Sequence, residues 1–479
     1  MLHNNLWNDE IYTLKKFTFV SLRQTLTDYH VPNNHILYNL FDQEYLRVIG
    51  ITDMLTVLQK PEMLRLPLLL VSVIIIFFTY RAGKLAGGQA TGLLAALLLV
   101  TAIPFQNFSL QVRGYTFSML FDLLMVFYTL QYIFYRKEKY LLFIILATGA
   151  AMYTIPSNLY CVIGIIIFLS VELYVQKIAN GIFDKKCFWP GAAVALGVLL
   201  AILCYVPVLH QVFSNDYVKG ETSDSKVIIV QLLLLALNEF ISGKEFFFFA
   251  AWSAIAIYPI IVFWSNTLHH ATILKALLFQ FITPALMVLV RGEQPPARVF
   301  AYLIPPVMVF TAVILVLVIT RMLSLRNQHY MAWFLAVYIL LAHRAELSAL
   351  KAEMDFNLKN EIRTQGLYYH YYLCNYNPIA LTSYLLKNAK DRNVPVVVRD
   401  CEPNDVTDYF NAFKIPYYPF DSLDYVLRQN KTAYVITRYP SQLDSVFSNE
   451  HHCAIKEVSE PTYNHVLKLR YQAQAEPEL

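Results

Sequence analysis

The chain alternates between long apolar runs and polar stretches. Apolar runs fall at about 64–80, 90–107, 115–135, 141–155, 157–176, 189–210, 246–264, 272–290, 298–320 and 329–343. A bilayer core takes about 20 helical residues, with a range of about 17–25. Flanking residues lengthen the shortest run, 141–155, so the pattern predicts ten membrane-spanning helices. The run 226–242 is different. It carries Asn238 and Glu239 and is flanked by Asp224, Lys226, Lys244 and Glu245, which reads as an interfacial helix.

Polar segments lie at both ends. Residues 1–63 hold no run long enough to span and no signal peptide, since a basic opening and a long apolar region are both missing. They read as short amphipathic helices at an interface, with apolar faces at 17–20 and 41–51. Between these, His30-Val31-Pro32-Asn33-Asn34-His35 reads as a turn. From 344 onward the apolar runs stop. Residues 378–388 predict a helix, 394–399 and 432–437 short buried strands, and 466–471 an edge strand. That is enough chain for a small α/β domain outside the membrane. The predicted division is therefore a first loop at 1–63, a transmembrane part at 64–343 and a C-terminal α/β domain at 344–479.

Composition agrees. Charged residues are 15% and hydrophobic residues 57%, against about 25% charged in a soluble domain. The 33 tyrosines and 32 phenylalanines suit membrane interfaces. A net charge of only +4 leaves no nucleic-acid footprint. The six cysteines show no metal spacing, and the three C-terminal ones allow at most one disulfide. No motif requires a metal or another cofactor.

Short-loop lysines and arginines set the orientation. Arg81 and Lys84, Arg136 to Lys139, Lys177 to Lys186, Lys275, Arg321 and Arg326 lie on one side, which predicts a cytoplasmic face there. Residues 1–63, the loop 211–245 and the C-terminal domain then face outward. Four polar clusters share that outer face: Asp9-Glu10, Pro32-Asn33-Asn34-His35, Gln111-Val112-Arg113-Gly114-Tyr115, and the stretch from Arg291 to Arg298. A carboxylate can take a hydroxyl proton, and arginine binds phosphate through bidentate, charge-assisted bonds. A base and phosphate binders at a lipid boundary suit transfer from a lipid-phosphate donor. Within the spans, Asp122 and Glu172 read as acids wetted from the nearer membrane face.

The same clusters resemble the membrane glycosyltransferases of the GT-C class, close to protein O-mannosyltransferases and the lipid A aminoarabinose transferase. Leu6-Trp7-Asn8-Asp9-Glu10-Ile11-Tyr12-Thr13 is similar to the "W-x-DE-x-x-T" motif of their first loop. Pro32-Asn33-Asn34-His35-Ile36-Leu37-Tyr38 resembles "h-P-P-l-y", and Glu62-Met63-Leu64-Arg65-Leu66-Pro67 resembles "lRlPs". Ser109-Leu110-Gln111-Val112-Arg113-Gly114-Tyr115 is similar to "s-x-E-x-R-x-Y". The match is strong over 6–130, with a weaker echo in Arg298-x-x-x-Tyr302-x-x-Pro305. The chain departs from the pattern at Gln111, where an acid is usual, and at Asn33, where a second proline is usual; His35 is an addition.

The resemblance implies an α-helical polytopic enzyme of the cytoplasmic membrane. It would move a sugar, with inversion, from a polyprenyl-phosphate donor to an acceptor hydroxyl on a glycan, lipid or protein. Asp9 would be the general base, and Glu10 would pair with Arg113 or touch the acceptor. Asn33, Asn34, His35, Gln111, Arg113, Tyr115, Arg298 and Tyr302 would bind substrate. The family's leading helix is absent, which leads us to expect a further span upstream. The competing readings are a transporter or lipid flippase, and a non-catalytic relative that keeps the fold.

Overall fold

The computed structural model describes residues 2, 5–6, 8–180, 185–214, 221–222, 268–291, 293–294, 297–322, 325–359, 378–390, 393–399, 406–437, 441, 443, 447–448, 453–457 and 465–471. The expected interfacial helix 226–242 and the expected span 246–264 lie outside these residues. By its contacts the chain forms two compact units. One comprises 1–15, 46–64 and 347–479, and the other 16–45 and 65–346.

The second unit is a helical bundle. Short helices α1 (Asn8–Thr13), α2 (Leu22–Thr27), α3 (Ile36–Val48) and α4 (Met54–Gln59) precede the first long one, α5 (Glu62–Thr101). Of these, α2 and α3 belong to the bundle. Two expected spans, 64–80 and 90–107, meet within α5. Gly87 and Gly88 leave helical geometry, Gly88 at φ +86°, a conformation that costs glycine little. A Cβ on Gly83 would lie 2.9 Å from the Gly92 Cα. Nine residues along a straight helix span about 13.5 Å, so the chain folds back here into a hairpin.

The short α6 (Ile103–Phe108) leads to α7 (Tyr115–Tyr135), α8 (Lys139–Thr154), α9 (Leu159–Asn180), α10 (Lys185–Tyr205) and α11 (Leu209–Phe213). After the gap come α12 (Leu268–Arg291), α13 (Ile304–Met322) and α14 (Leu325–Lys359). Among the described residues seven helices are long and apolar enough to cross a membrane, and α8 is a shorter apolar one. The expected helical membrane architecture is therefore present.

Helix α8 packs on both α7 and α10, and α9 packs on α12. The α8–α10 crossing is close because Gly197 leaves room: a Cβ there would stand 2.6 Å from the Thr148 Cβ. The two intramembrane acids are not wetted as expected. Asp122 is fully buried, with the Ser118 hydroxyl 3.4 Å from its Oδ2. Glu172 is buried and accepts a bond from Lys275, which joins α9 to α12. Charge inside a bilayer is costly unless paired or hydrogen-bonded, so a lysine across the helix interface replaces water at Glu172.

The C-terminal part is a three-layer α/β structure. Helices α15 (Pro378–Leu385), α16 (Val406–Ala412) and α17 (Leu423–Asn430) flank a five-stranded sheet. Its strands are β1 (Val396–Val398), β2 (Tyr417–Pro419), β3 (Thr432–Thr437), β4 (Cys453–Glu457) and β5 (His465–Tyr471). The order across the sheet is β2-β1-β3-β5-β4. Strand β1 runs parallel to β2 and β3, while β5 runs antiparallel to β3 and β4.

Alternation assigns the two faces. Tyr434 and Ile436 join Leu385 and Phe410 in one core, and Ala433 and Val435 join Leu423 and Leu427 in the other. The strand at 466–471 was expected at the edge and lies inside, covered by β4. Val466 serves one core and Leu467 and Leu469 the other. Pairing on both sides makes it an interior strand.

Candidate functional site

The turn at 31–35 is the starting point, and Asn34 locks it. Its Nδ2 donates to the Thr25 carbonyl at 2.9 Å and the Asp28 carbonyl at 2.6 Å, and its Oδ1 accepts from Asn39 Nδ2 at 2.8 Å. Asn34 is fully buried, so it shapes the turn rather than facing a ligand. Its neighbour Asn33 points the other way and accepts from Arg113 Nη2 at 3.0 Å.

Arg113 sits in the buried link between α6 and α7, and the rest of the bundle braces that link. Arg65 Nε donates to the Leu110 carbonyl at 3.2 Å, Ser72 Oγ to the Ser109 carbonyl at 3.2 Å, and Thr116 Oγ1 to the same carbonyl at 2.9 Å. Buried carbonyls need such partners, which explains the arginine in the Leu64-Arg65-Leu66-Pro67 stretch.

His35 meets the same link. The Gly114 N–H donates to His35 Nδ1 at 2.8 Å. A side chain on Gly114 would collide, since its Cβ would fall 2.8 Å from Thr154 Cγ2 and 2.9 Å from His35 Cβ. Because Nδ1 accepts, the neutral ring carries its proton on Nε2. Burial holds the imidazole well below the usual histidine range, and the charges of Arg113 and Arg298 push in the same direction. His35 is thus a neutral donor with a fixed tautomer. Its ring lies 5.3 Å from that of Tyr115, and the Arg113 guanidinium stands 5.1 Å from the Tyr115 ring centre.

These groups open onto one cavity of about 250 Å³. Asn33, His35, Arg113, Tyr115, Arg291 and Arg298 line it, against an apolar wall that includes Pro32, Ile155, Leu159, Val212 and Met287. No Asp or Glu is among the described lining residues. Three arginines and a neutral N–H donor on a half-apolar hollow suit an anionic head group with a hydrocarbon tail.

The remaining expected residues lie elsewhere. Gln111 is buried, and its carbonyl accepts from the Arg113 N–H at 2.7 Å, so it shapes the link without lining the cavity. Tyr302 is fully buried in the bundle and does not line the cavity either. It belongs with a buried polar seam in which Ser118 Oγ donates to Asn158 Oδ1 at 2.6 Å and Cys161 Sγ to Gln280 Oε1 at 2.7 Å. Asp9 and Glu10 belong to the other unit. There α1 holds Glu10 fully buried and Asp9 partly exposed. Trp7 of the same motif lies outside the described residues.

Sequence reasoning missed Tyr29, Tyr160 and the Pro156-Ser157 corner as cavity residues. It placed Arg291 in the outer-face cluster that ends at Arg298 but gave the binding role to Arg298 alone; both line the cavity.

Residues 52–209, about a third of the chain, match the family described as dolichyl-phosphate-mannose-protein mannosyltransferase. No curated protein sequence matches. Among solved structures, the apo oligosaccharyltransferase of Archaeoglobus fulgidus is similar at a TM-score of 0.50 and 11% identity, over 92% of this chain and 66% of that one. ArnT from Cupriavidus metallidurans, solved bound to undecaprenyl phosphate, aligns over 100% of this chain and 96% of its own, at 12% identity and a TM-score of 0.48. The chain is a multi-pass helical membrane protein of GT-C-like fold. Over residues 52–209 it resembles the dolichyl-phosphate-mannose-protein mannosyltransferases, in line with its motifs.

Proposed function

We propose that this protein is an inverting glycosyltransferase that moves a sugar from a polyprenyl-phosphate donor to an acceptor hydroxyl at the outer face of the cytoplasmic membrane. The observation that carries the reading is the meeting of Arg113, Arg298 and His35 on one half-apolar cavity. The family match over 52–209 supports it, because that family is defined by a lipid-phosphate sugar donor.

In this reading the arginines hold the donor phosphate, and His35 Nε2–H donates to a phosphate or sugar oxygen. Asp9 takes the proton of the acceptor hydroxyl as its oxygen bonds to the anomeric carbon. The bond from that carbon to the phosphate oxygen breaks, and the leaving phosphate gathers negative charge. Fixed positive groups stabilise that charge best in a site shielded from water. Glu10 acts beside Asp9 on the acceptor. Residues 1–63 serve as the extracytoplasmic first loop, 64–343 as the transmembrane transfer domain and 344–479 as an extracytoplasmic domain.

The test uses the purified full chain, in lipid nanodiscs for chemistry and in sealed vesicles for transport, with radiolabelled polyprenyl-phosphate hexoses and pentoses. Release or transfer of labelled sugar is the expected result. Intact donor in every case, with donor carried across vesicle membranes, overturns the proposal in favour of a transporter.

A further inference from the structure

We propose that the C-terminal α/β domain positions the acidic helix α1, with Tyr409 on α16 as the positioning residue. This deepens the function proposed above and rests on its assignment of Asp9 as the base. A six-residue helix has no stability of its own, because nucleation is unfavourable and isolated helices shorter than about 12 residues are marginal. Its order must come from contacts, and α16 supplies them on both flanks.

Before α1, the Leu6 carbonyl accepts from the Tyr409 hydroxyl at 3.1 Å, across 403 residues of sequence. Leu6 and Tyr409 are both fully buried. After α1, Lys15 Nζ donates to Asp408 Oδ1 at 2.6 Å. Two consecutive residues of α16 therefore hold the chain at positions 6 and 15, and the carboxylates of Asp9 and Glu10 lie between.

The grip is firm because α16 is itself rooted. Phe410, next to Tyr409, is fully buried in the sheet's core beside Leu385 and Ile436. The first-loop helix α4 also packs on α16, with Val57 and Leu58 buried. On the acidic side Leu6, Ile11 and Leu14 are fully buried. The two contacts differ in weight. The Tyr409–Leu6 bond is buried, and losing its donor would leave a carbonyl unsatisfied. The Lys15–Asp408 pair is part-exposed and weaker.

The experiment combines hydrogen exchange with donor turnover on the full-length protein in nanodiscs. In Tyr409→Phe, the amides of residues 8–13 are expected to exchange about 5- to 150-fold faster, while those of α7 and α9 keep their wild-type rates. The kcat for donor cleavage falls by a similar factor, and the KM for donor stays put because the cavity is untouched. Lys15→Asp alone speeds exchange about 2- to 5-fold, and adding Asp408→Lys restores it. Unchanged exchange at 8–13 in both Tyr409→Phe and Lys15→Asp overturns the proposal. Faster exchange with unchanged kcat reduces the contact to a structural one and overturns positioning. If the wild-type chain cleaves no donor, the glycosyltransferase reading falls, and exchange alone decides whether α16 holds α1. If Tyr409→Phe does not fold, the charge-reversal pair still decides.

Discussion

The basic cavity and the acidic helix are built by opposite means. Arg113, His35 and Arg298 stand within a bundle of long apolar helices, and the link that carries Arg113 is braced by Arg65, Ser72 and Thr116. Asp9 and Glu10 ride on six residues of helix, with order borrowed from a domain about 400 residues away in sequence. A site held by packed helices is fixed before a ligand arrives. A carboxylate held through a Tyr409 hydroxyl and one part-exposed ion pair can be loosened without disturbing the bundle. Under the proposed function, the contrast makes donor binding and acceptor activation separable, so that different substitutions should affect each.

The largest expected effect is on the acidic side. Asp9→Asn keeps the size of the side chain and removes the base, so turnover should fall by about 10²- to 10⁴-fold while donor affinity stays at its wild-type value. Rate and binding are measured on the same nanodisc sample. A mutant that turns over normally would remove Asp9 from the mechanism and with it half of the contrast. Arg298→Ala comes next, on the basic side. Loss of one charge-assisted contact to phosphate, at about 1.5–3 kcal/mol, should weaken binding of the donor and of free polyprenyl phosphate about 10- to 150-fold. Equal binding by wild type and variant would dissociate the cavity from the donor.

How far the sequence led can be judged from neighbours that fared differently. The run predicted at 115–135 is the helix observed, because Gly114 and Arg136 bound it and most residues between are apolar or aromatic. The strand at 432–437 was equally plain, its residues alternating between two cores. Strand β2, three exposed residues with a proline, offered no pattern to read.

Within the site, Asn33 and Asn34 are the same residue type in the same turn. One reaches Arg113, while the other ties Thr25, Asp28 and Asn39 together. Nothing in composition or spacing separates them; only the direction of each side chain does. The grip of Tyr409 on Leu6 was likewise invisible, because local pattern carries no record of a contact between remote segments.

Smaller effects sharpen the account of the basic cavity. In Gly114→Ala the new methyl must displace both His35 and Thr154, since each lies under 3 Å from its position. Overpacking of this kind costs about 1–3 kcal/mol, to be read as a lower unfolding temperature in detergent. Because His35 moves with it, donor affinity should fall as well. A fall in stability with donor affinity intact would show that His35 is a wall and not a donor.

The smallest effect is also the most specific to the cavity, and it concerns pH. His35 is buried, with the charges of Arg113 and Arg298 acting on it, and its pKa in the folded protein is well below the ordinary histidine value. As pH falls through about 6.5, the unfolded chain takes up a proton that the folded chain refuses. The unfolded state then binds more protons, so stability drops with falling pH, by at most about 1.4 kcal/mol per pH unit. The drop begins near the unfolded pKa and ends at the folded one; above that window the contribution is fully present. His35→Gln keeps an acceptor for the Gly114 N–H and a donor beyond it, but has no proton to exchange. The difference in unfolding free energy between wild type and His35→Gln, followed from pH 8 to pH 5, isolates this one group from the other histidines. A slope in that difference below about pH 6.5 places a neutral imidazole between two guanidinium groups. A flat difference would mean that His35 shares the charge of its neighbours without penalty, which requires an anion or water within the cavity even in the free protein.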